Sequence, residues 1–223
     1  MLKEIARLVG YRDGDEFGGH YNRWRAKRIR AIRSHYGRRW WRNKTVLEVG
    51  CGHADIGAAF AELGATVTCS DARQEHIVAA RRRFGASITT VQADLDGSWP
   101  FKEHYDLLLH LGVLYHLADP EQGVRDALSG ADHIVLETEV CDSDDPFLVI
   151  QTKEKGYDQA FNNVGSRPSP ALIERILTES DRPFERVSDS RCNSRLHRYD
   201  WAVTNTGDWS SGLRRMWFVG PAA

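Results

Sequence analysis

From Thr45 to Glu139, short apolar runs alternate with helical stretches. Thr45–Val49 is apolar and partly β-branched, and it ends in a glycine loop. Ala54–Leu63 reads as a helix, with Gly64 where a C′ glycine belongs. Ala65–Ser70 is a second strand, Arg73–Phe84 a second helix closed by Gly85, and Ser87–Ala93 a third strand. Tyr105–Leu111 (YDLLLHL) is nearly all apolar, as a strand buried on both faces should be. Asp119-Pro120-Glu121-Gln122 opens a helix with an N-cap acid, proline at N1 and Gln at N3. His133–Glu139 is the fifth strand. Strands alternating with helices of ~10–15 residues predict right-handed βαβ units and a parallel sheet.

The flanks follow other patterns. From Asn22 to Lys44 there are ten Lys or Arg residues and no acid. Ala26, Ile29, Ile32 and Tyr36 recur there at helical spacing, which predicts an amphipathic basic helix stopped by Gly37. After Glu139, Val140–Arg167 reads as a long insertion, and loops of that length are usually functional. Ser169-Pro170 starts a helix running to about Thr178. Strands near Phe184–Ser188 and Arg214–Val219 flank a Trp-bearing segment, Asp200–Ser211. The expected organisation is an N-terminal helical cap (1–44) and a main domain (45–223), with 140–167 as a lid.

A chain of 223 residues, 41% hydrophobic, can bury one full core. The net charge of −1 gives no overall pull toward nucleic acid or membrane. No run of ~18 apolar residues predicts a spanning helix. The opening MLKEIARLVGYRDGDEF mixes acids with apolar residues and lacks a small-residue cleavage site, so it does not read as a signal peptide. Cys51, Cys69, Cys141 and Cys192 form no C-x-x-C pair and read as reduced thiols of a cytoplasmic protein.

The glycine loop runs E-V-G-C-G-H-A-D-I-G from Glu48 to Gly57. Gly50 and Gly52 permit a tight turn and close approach of a ligand. A dinucleotide fingerprint wants a third glycine at position 55; Asp55 stands there and would repel a phosphate. G-K-[ST] is absent from the loop, so it is not a P-loop. Asp71 ends the second strand about 20 residues on, where a carboxylate meets ribose hydroxyls in nucleotide folds. Asp94 follows the third strand. A ligand with ribose, adenine, an ammonium and a sulfonium, but no phosphate, matches such a crevice, and S-adenosylmethionine is one.

The ordered set E-V-G-C-G (48–52), S-D (70–71), A-D-L (93–95) and H-L-G-V-L-Y-H-L (110–117) resembles the class I S-adenosylmethionine-dependent methyltransferases. The resemblance implies a Rossmann-like seven-stranded, mostly parallel sheet with helices on both faces and a final antiparallel strand, here Arg214–Val219. It implies S-adenosyl-L-methionine as cofactor, with Glu48, Gly50, Cys51 and Gly52 on the methionine part. Asp71 and Ala72 would lie at the ribose, Asp94 at the adenine amino group and Leu95 against the ring. His110 and Leu111 would line the methyl-transfer site.

For the acceptor, the fourth strand ends in His110-Leu111-Gly112-Val113 where DNA amino-methylating enzymes have [ND]-P-P-[YF], and no Pro-Cys pair occurs. DNA amino and cytosine C5 methylation are therefore not expected. O-methylation needs only in-line positioning and a base. His116 is the first candidate base, with a helix-packing histidine as the bland alternative. His110 is second, and Asp142 at the fifth strand's exit third. No metal site is expected, since His110, His116 and Asp119 match no common ligand spacing. In the lid, Gln151, Lys153, Lys155, Gln159, Asn162, Asn163 and Arg167 suit hydroxyls or a carboxylate of an acceptor, with solvated surface positions as the favoured reading for most of them. Trp201 and Trp209 would form another wall or a satellite apolar cluster.

The G-V-L-Y-H-L stretch (112–117) also resembles small-molecule O-methyltransferases and tRNA wobble-uridine enzymes. The favoured acceptor is a small molecule, a sugar or secondary metabolite. The alternatives are tRNA, with segment 22–44 on its phosphates, and a cofactor-binding pseudoenzyme. A solvated helix face is the favoured reading of segment 22–44.

Overall fold

The computed structural model describes residues 17–156 and 159–222. The first part of the expected cap, 1–16, including the stretch read against a signal peptide, lies outside the described residues. So do 157–158 in the expected lid.

Helix α1 (His20–Tyr36) precedes β1 (Thr45–Val49), α2 (Asp55–Ala61), β2 (Thr66–Asp71), α3 (Gln74–Phe84), β3 (Thr89–Gln92) and β4 (Tyr105–Leu111). Then come α4 (Pro120–Gly130), β5 (Ala131–Glu139), the pair β6 (Val149–Lys153) and β7 (Val164–Pro168), α5 (Pro170–Glu179), β8 (Phe184–Arg186) and β9 (Arg214–Val219). Both proline-opened helices are capped as their sequences require. Asp119 Oδ1 accepts the Gln122 N–H (3.0 Å), and Ser169 Oγ accepts the Leu172 N–H (3.0 Å).

The main sheet has seven strands in the order β3-β2-β1-β4-β5-β9-β8. Strands β1 to β5 pair in parallel, and β9 runs antiparallel to both its neighbours, β5 and β8. This is the expected sheet, with Arg214–Val219 as its antiparallel strand. A dinucleotide-binding sheet has the order 3-2-1-4-5-6, so the antiparallel strand between β5 and β8 separates the two folds.

Strand alternation divides the core in two. Val46, Val67, Leu107, Leu109, Leu111, Val135, Met216 and Phe218 pack against α1, α2 and Trp41. Leu47, Val49, Leu108, Ile134, Leu136, Trp217 and Val219 pack against α4 and α5. Successive side chains of a strand point to opposite faces, so YDLLLHL serves both layers at once.

Two flanking segments depart from expectation. The 140–167 segment carries a hairpin, with Val149 paired to Pro168 and Lys153 to Val164. The basic segment does form α1, and Ile29 and Ile32 are buried as their spacing predicts. Its charge is not all on a solvated face, however. Arg25 and Arg28 are buried alongside Trp24, while Arg23, Arg30, Arg38, Arg39 and Arg42 are exposed. Arg28 lies four residues from both Trp24 and Ile32, on the stripe that must face inward.

Candidate functional site

The carboxyl ends of β1, β2, β3 and β4 open on one crevice, roofed by α1 and by the linker joining β6 to β7. Glu48, Gly50, Cys51, Gly52, Asp71, Ala72, Asp94, Leu95 and Leu111 all line it, as does His116. Gly50 (φ 60°) and Gly52 (φ 52°) are left-handed. A Cβ on Gly50 would overlap the Val113 side chain, and one on Gly52 would come 3.1 Å from the Phe17 ring. Only glycine lets the loop turn this closely.

Asp71 organises that loop from below. Its Oδ2 accepts the Gly52 N–H at 2.9 Å, and its Oδ1 accepts the Arg73 N–H at 2.9 Å and lies 3.0 Å from His76 Nδ1. Asp94 is exposed at the lip, with Oδ1 accepting the Asp96 N–H at 3.0 Å. Asn162 of the roofing linker donates to Asp96 at 3.1 Å. Arg73 donates to the Gly156 and Gln159 carbonyls, each at 3.1 Å. The linker therefore sits over the exits of β2 and β3.

Three expectations are corrected. Asp55 is not a bare negative charge. It is buried and pairs with Arg25 (3.1 Å) and Arg83 (2.7 Å), so it cannot by itself repel a phosphate. His110 does not line the crevice. It is 1% exposed and follows Leu109 in strand alternation, so it points to the opposite face from Leu111. Burial pushes its pKa down to about 4, and its Nδ1 has no hydrogen-bond partner among the described residues. Asp142 is also away from the crevice, tied to the 204–206 turn. It accepts the Thr204 and Thr206 hydroxyls (2.5 and 2.7 Å) and the backbone N–H groups of Thr204, Asn205 and Thr206. Burial opposes its ionisation, but those donors outweigh it and hold the carboxyl far below the usual range.

His116 stands at the crevice on the turn after β4, with Nδ1 2.5 Å from Glu154 Oε2. Beyond it runs a chain of alternating charge that the sequence reading missed. Arg28 pairs with Glu137 (3.3 Å), Glu137 with Arg214 (2.9 Å) and Arg214 with Glu139 (3.0 Å). Glu139 pairs with Arg167 (2.8 Å), and Arg167 with Glu154 (2.8 Å). Three arginines face three glutamates, so the buried charges cancel, as burial demands. Burial works against ionised Glu137, but Arg214 and Arg28 hold it below the ordinary value. Trp24 Nε1 donates to Tyr199 Oη (2.8 Å), and Tyr199 Oη donates to Glu137 (3.0 Å). Of the two tryptophans read as walls, Trp201 packs in the core. Trp209 borders a second depression beside Glu139, Arg195 and His197.

Residues 46–130 match the family described as a methyltransferase domain. Over 82 residues the chain is 32% identical to a ubiquinone biosynthesis O-methyltransferase of Hydrogenovibrio crunogenus, a match covering 35% of this chain. That match spans 34% of the curated relative's length. Residues 46–130 thus carry a methyltransferase domain, and the sheet around them has the Rossmann-like methyltransferase fold. The fold extends the likeness to the whole chain. The N-terminal domain of EvdMO1 with SAH bound superposes with a TM-score of 0.69 at 19% identity, over 99% of this chain and 95% of that one. Magnesium protoporphyrin IX methyltransferase of Synechocystis PCC 6803, with bound SAM, gives 0.62 at 15% identity, over 98% and 90%.

Proposed function

We propose that the crevice binds S-adenosylmethionine and that the chain methylates a hydroxyl of a small acceptor, a sugar or secondary metabolite. The observation that carries this reading is the convergence of Gly50, Gly52, Asp71, Asp94 and His116 on one crevice. The residues present fit the cofactor. The loop is a cradle that a Cβ at Gly50 would fill. Asp71 places a carboxylate at the β2 end, where ribose hydroxyls would be held. Arg28 lines the crevice and keeps a buried Nε without a hydrogen-bond partner among the described residues, an unused donor for a carboxylate. Bound there, the cofactor supplies a methyl group on a sulfonium.

The chain's own residues do the rest. Trp24, Tyr115 and the roofing linker limit water in the crevice. His116 accepts the hydroxyl proton on the ring nitrogen that Glu154 does not engage. A small hydroxylated acceptor is supported by the curated relative's O-methyltransferase name and by the EvdMO1 domain, which was also crystallised in the presence of SAH and D-fucose. The inward turn of Arg25 and Arg28 gives segment 22–44 a task within the fold, which leaves less reason to assign it to RNA.

Calorimetry with S-adenosylmethionine, followed by an SAH-release screen over hydroxylated sugars and metabolites, tests the reading. Micromolar binding and turnover on at least one hydroxyl are expected. Binding without turnover would leave a pseudoenzyme, and turnover only on bulk tRNA would replace the acceptor class.

A further inference from the structure

Glu154 lies just past β6, 38 residues downstream of His116. Its side chain is 4% exposed and its position is fixed from several sides. Oε2 lies against His116 Nδ1 and accepts the Ala160 N–H at 3.0 Å, while Oε1 pairs with Arg167 Nη2 at 2.8 Å. The backbone opposite is Gly165, where a Cβ would come 2.5 Å from Glu154 Cδ. Burial opposes ionisation of Glu154, but the bond and charge of His116, together with Arg167 and the Ala160 N–H, lower its pKa to about 2. Held by these donors, Glu154 faces His116 as a carboxylate at neutral pH. A carboxylate only accepts hydrogen bonds, so the shared proton belongs to Nδ1 of the histidine. In a neutral ring Nε2 is then the acceptor.

We propose that Glu154 is a positioning residue for methyl transfer: it holds His116 in the Nδ1–H tautomer, leaving Nε2 toward the crevice as the only site that can take the acceptor's proton. This rests on His116 being the base. As the acceptor oxygen bonds to the methyl carbon, the C–S electron pair returns to sulfur and the hydroxyl proton passes to Nε2. The Nδ1 proton stays in place, and Glu154 balances the imidazolium charge so formed. Arg167 holds Glu154 from the other side and links it to Glu139, so the orientation of His116 is tied to the end of β5.

The tautomer can be read without an acceptor. Long-range 1H–15N NMR of the full chain in mildly alkaline buffer, with the resonances assigned by their loss in His116→Gln, should show the Nδ1–H form. Glu154→Leu should move the ring toward the Nε2–H form, and Glu154→Gln, which keeps an accepting oxygen, should retain Nδ1–H. With an acceptor in hand, Glu154→Leu should lower kcat ~10–100-fold while leaving the KM for S-adenosylmethionine unchanged. Glu154→Gln should restore part of that loss. An Nε2–H ring in the wild type overturns the proposal even if the Leu variant fails to fold, and so does an unchanged tautomer in a folded Leu variant. An Nδ1–H wild type that methylates no hydroxyl supports the proposal on tautomer control and instead defeats the O-methyltransferase reading.

Discussion

The Gly57 N–H donates to Glu48 Oε2 over 2.8 Å, a buried bond that ties the first turn of α2 to the end of β1. Burial dominates at Glu48 and, against the Gly57 and Cys69 contacts, raises its pKa from 4.5 to about 7. The folded chain thus keeps a proton that the unfolded chain releases between those two values. Stability should fall as pH rises through that window. Glu48→Gln keeps an oxygen for Gly57 and cannot ionise. Urea titrations should show it matching the wild type near pH ~4 and exceeding it by up to about 3 kcal/mol near pH ~8. A variant less stable at both pH values would mean that the fold uses the ionised acid.

Asp71 holds two loop amides and, in the proposed reading, the ribose hydroxyls. Asp71→Ala should weaken S-adenosylmethionine binding by about 1.5–3 kcal/mol, the scale of a charge-assisted hydrogen bond. Calorimetry alongside a melting curve separates lost ligand contact from a loosened loop. Unchanged affinity would contradict the ribose assignment.

His116 and Asp142 were rival bases on sequence grounds, and the structure parts them. His116→Ala should cut turnover by ~10²-fold with cofactor affinity nearly intact. Turnover near wild type would remove it as the base.

Asp142→Ala should do the reverse. Losing the donors from Thr204, Asn205 and Thr206 should cost on the order of 2 kcal/mol, or ~4–8 °C in Tm for a chain of this size. Turnover should stay within about twofold. A large kcat loss at unchanged Tm would return Asp142 to the site.

Gly57→Ala probes the same junction as Glu48 sterically. The new Cβ would lie 2.5 Å from Cys69 Sγ and 2.6 Å from Glu48 Oε2, and both are buried. A loss of about 1–3 kcal/mol in unfolding free energy is expected. A neutral result would show that the junction has slack.

What was legible in the sequence is what backbone geometry dictates locally. The left-handed turns at Gly50 and Gly52, the acid closing β2 and the Asp119-Pro120 helix start each need a residue type at a fixed offset. The same periodicity could have placed His110 correctly, one residue and therefore one face away from Leu111. The Trp24–Arg28–Ile32 stripe likewise marked Arg28 as inward-facing. The rest had no such rule. Arg28 meets Glu137 across 109 positions and His116 meets Glu154 across 38, and ion pairs between distant elements leave no periodic trace.

Arg25 and Arg28 also bear on how this chain tolerates recombination. Asp55 and Glu137 belong to the sheet domain, but part of their countercharge arrives from α1. Grafting the 45–223 portion beneath a foreign N-terminal segment would leave two buried carboxylates short of cations. A replacement for α1 would therefore have to bring cations to the positions of Arg25 and Arg28.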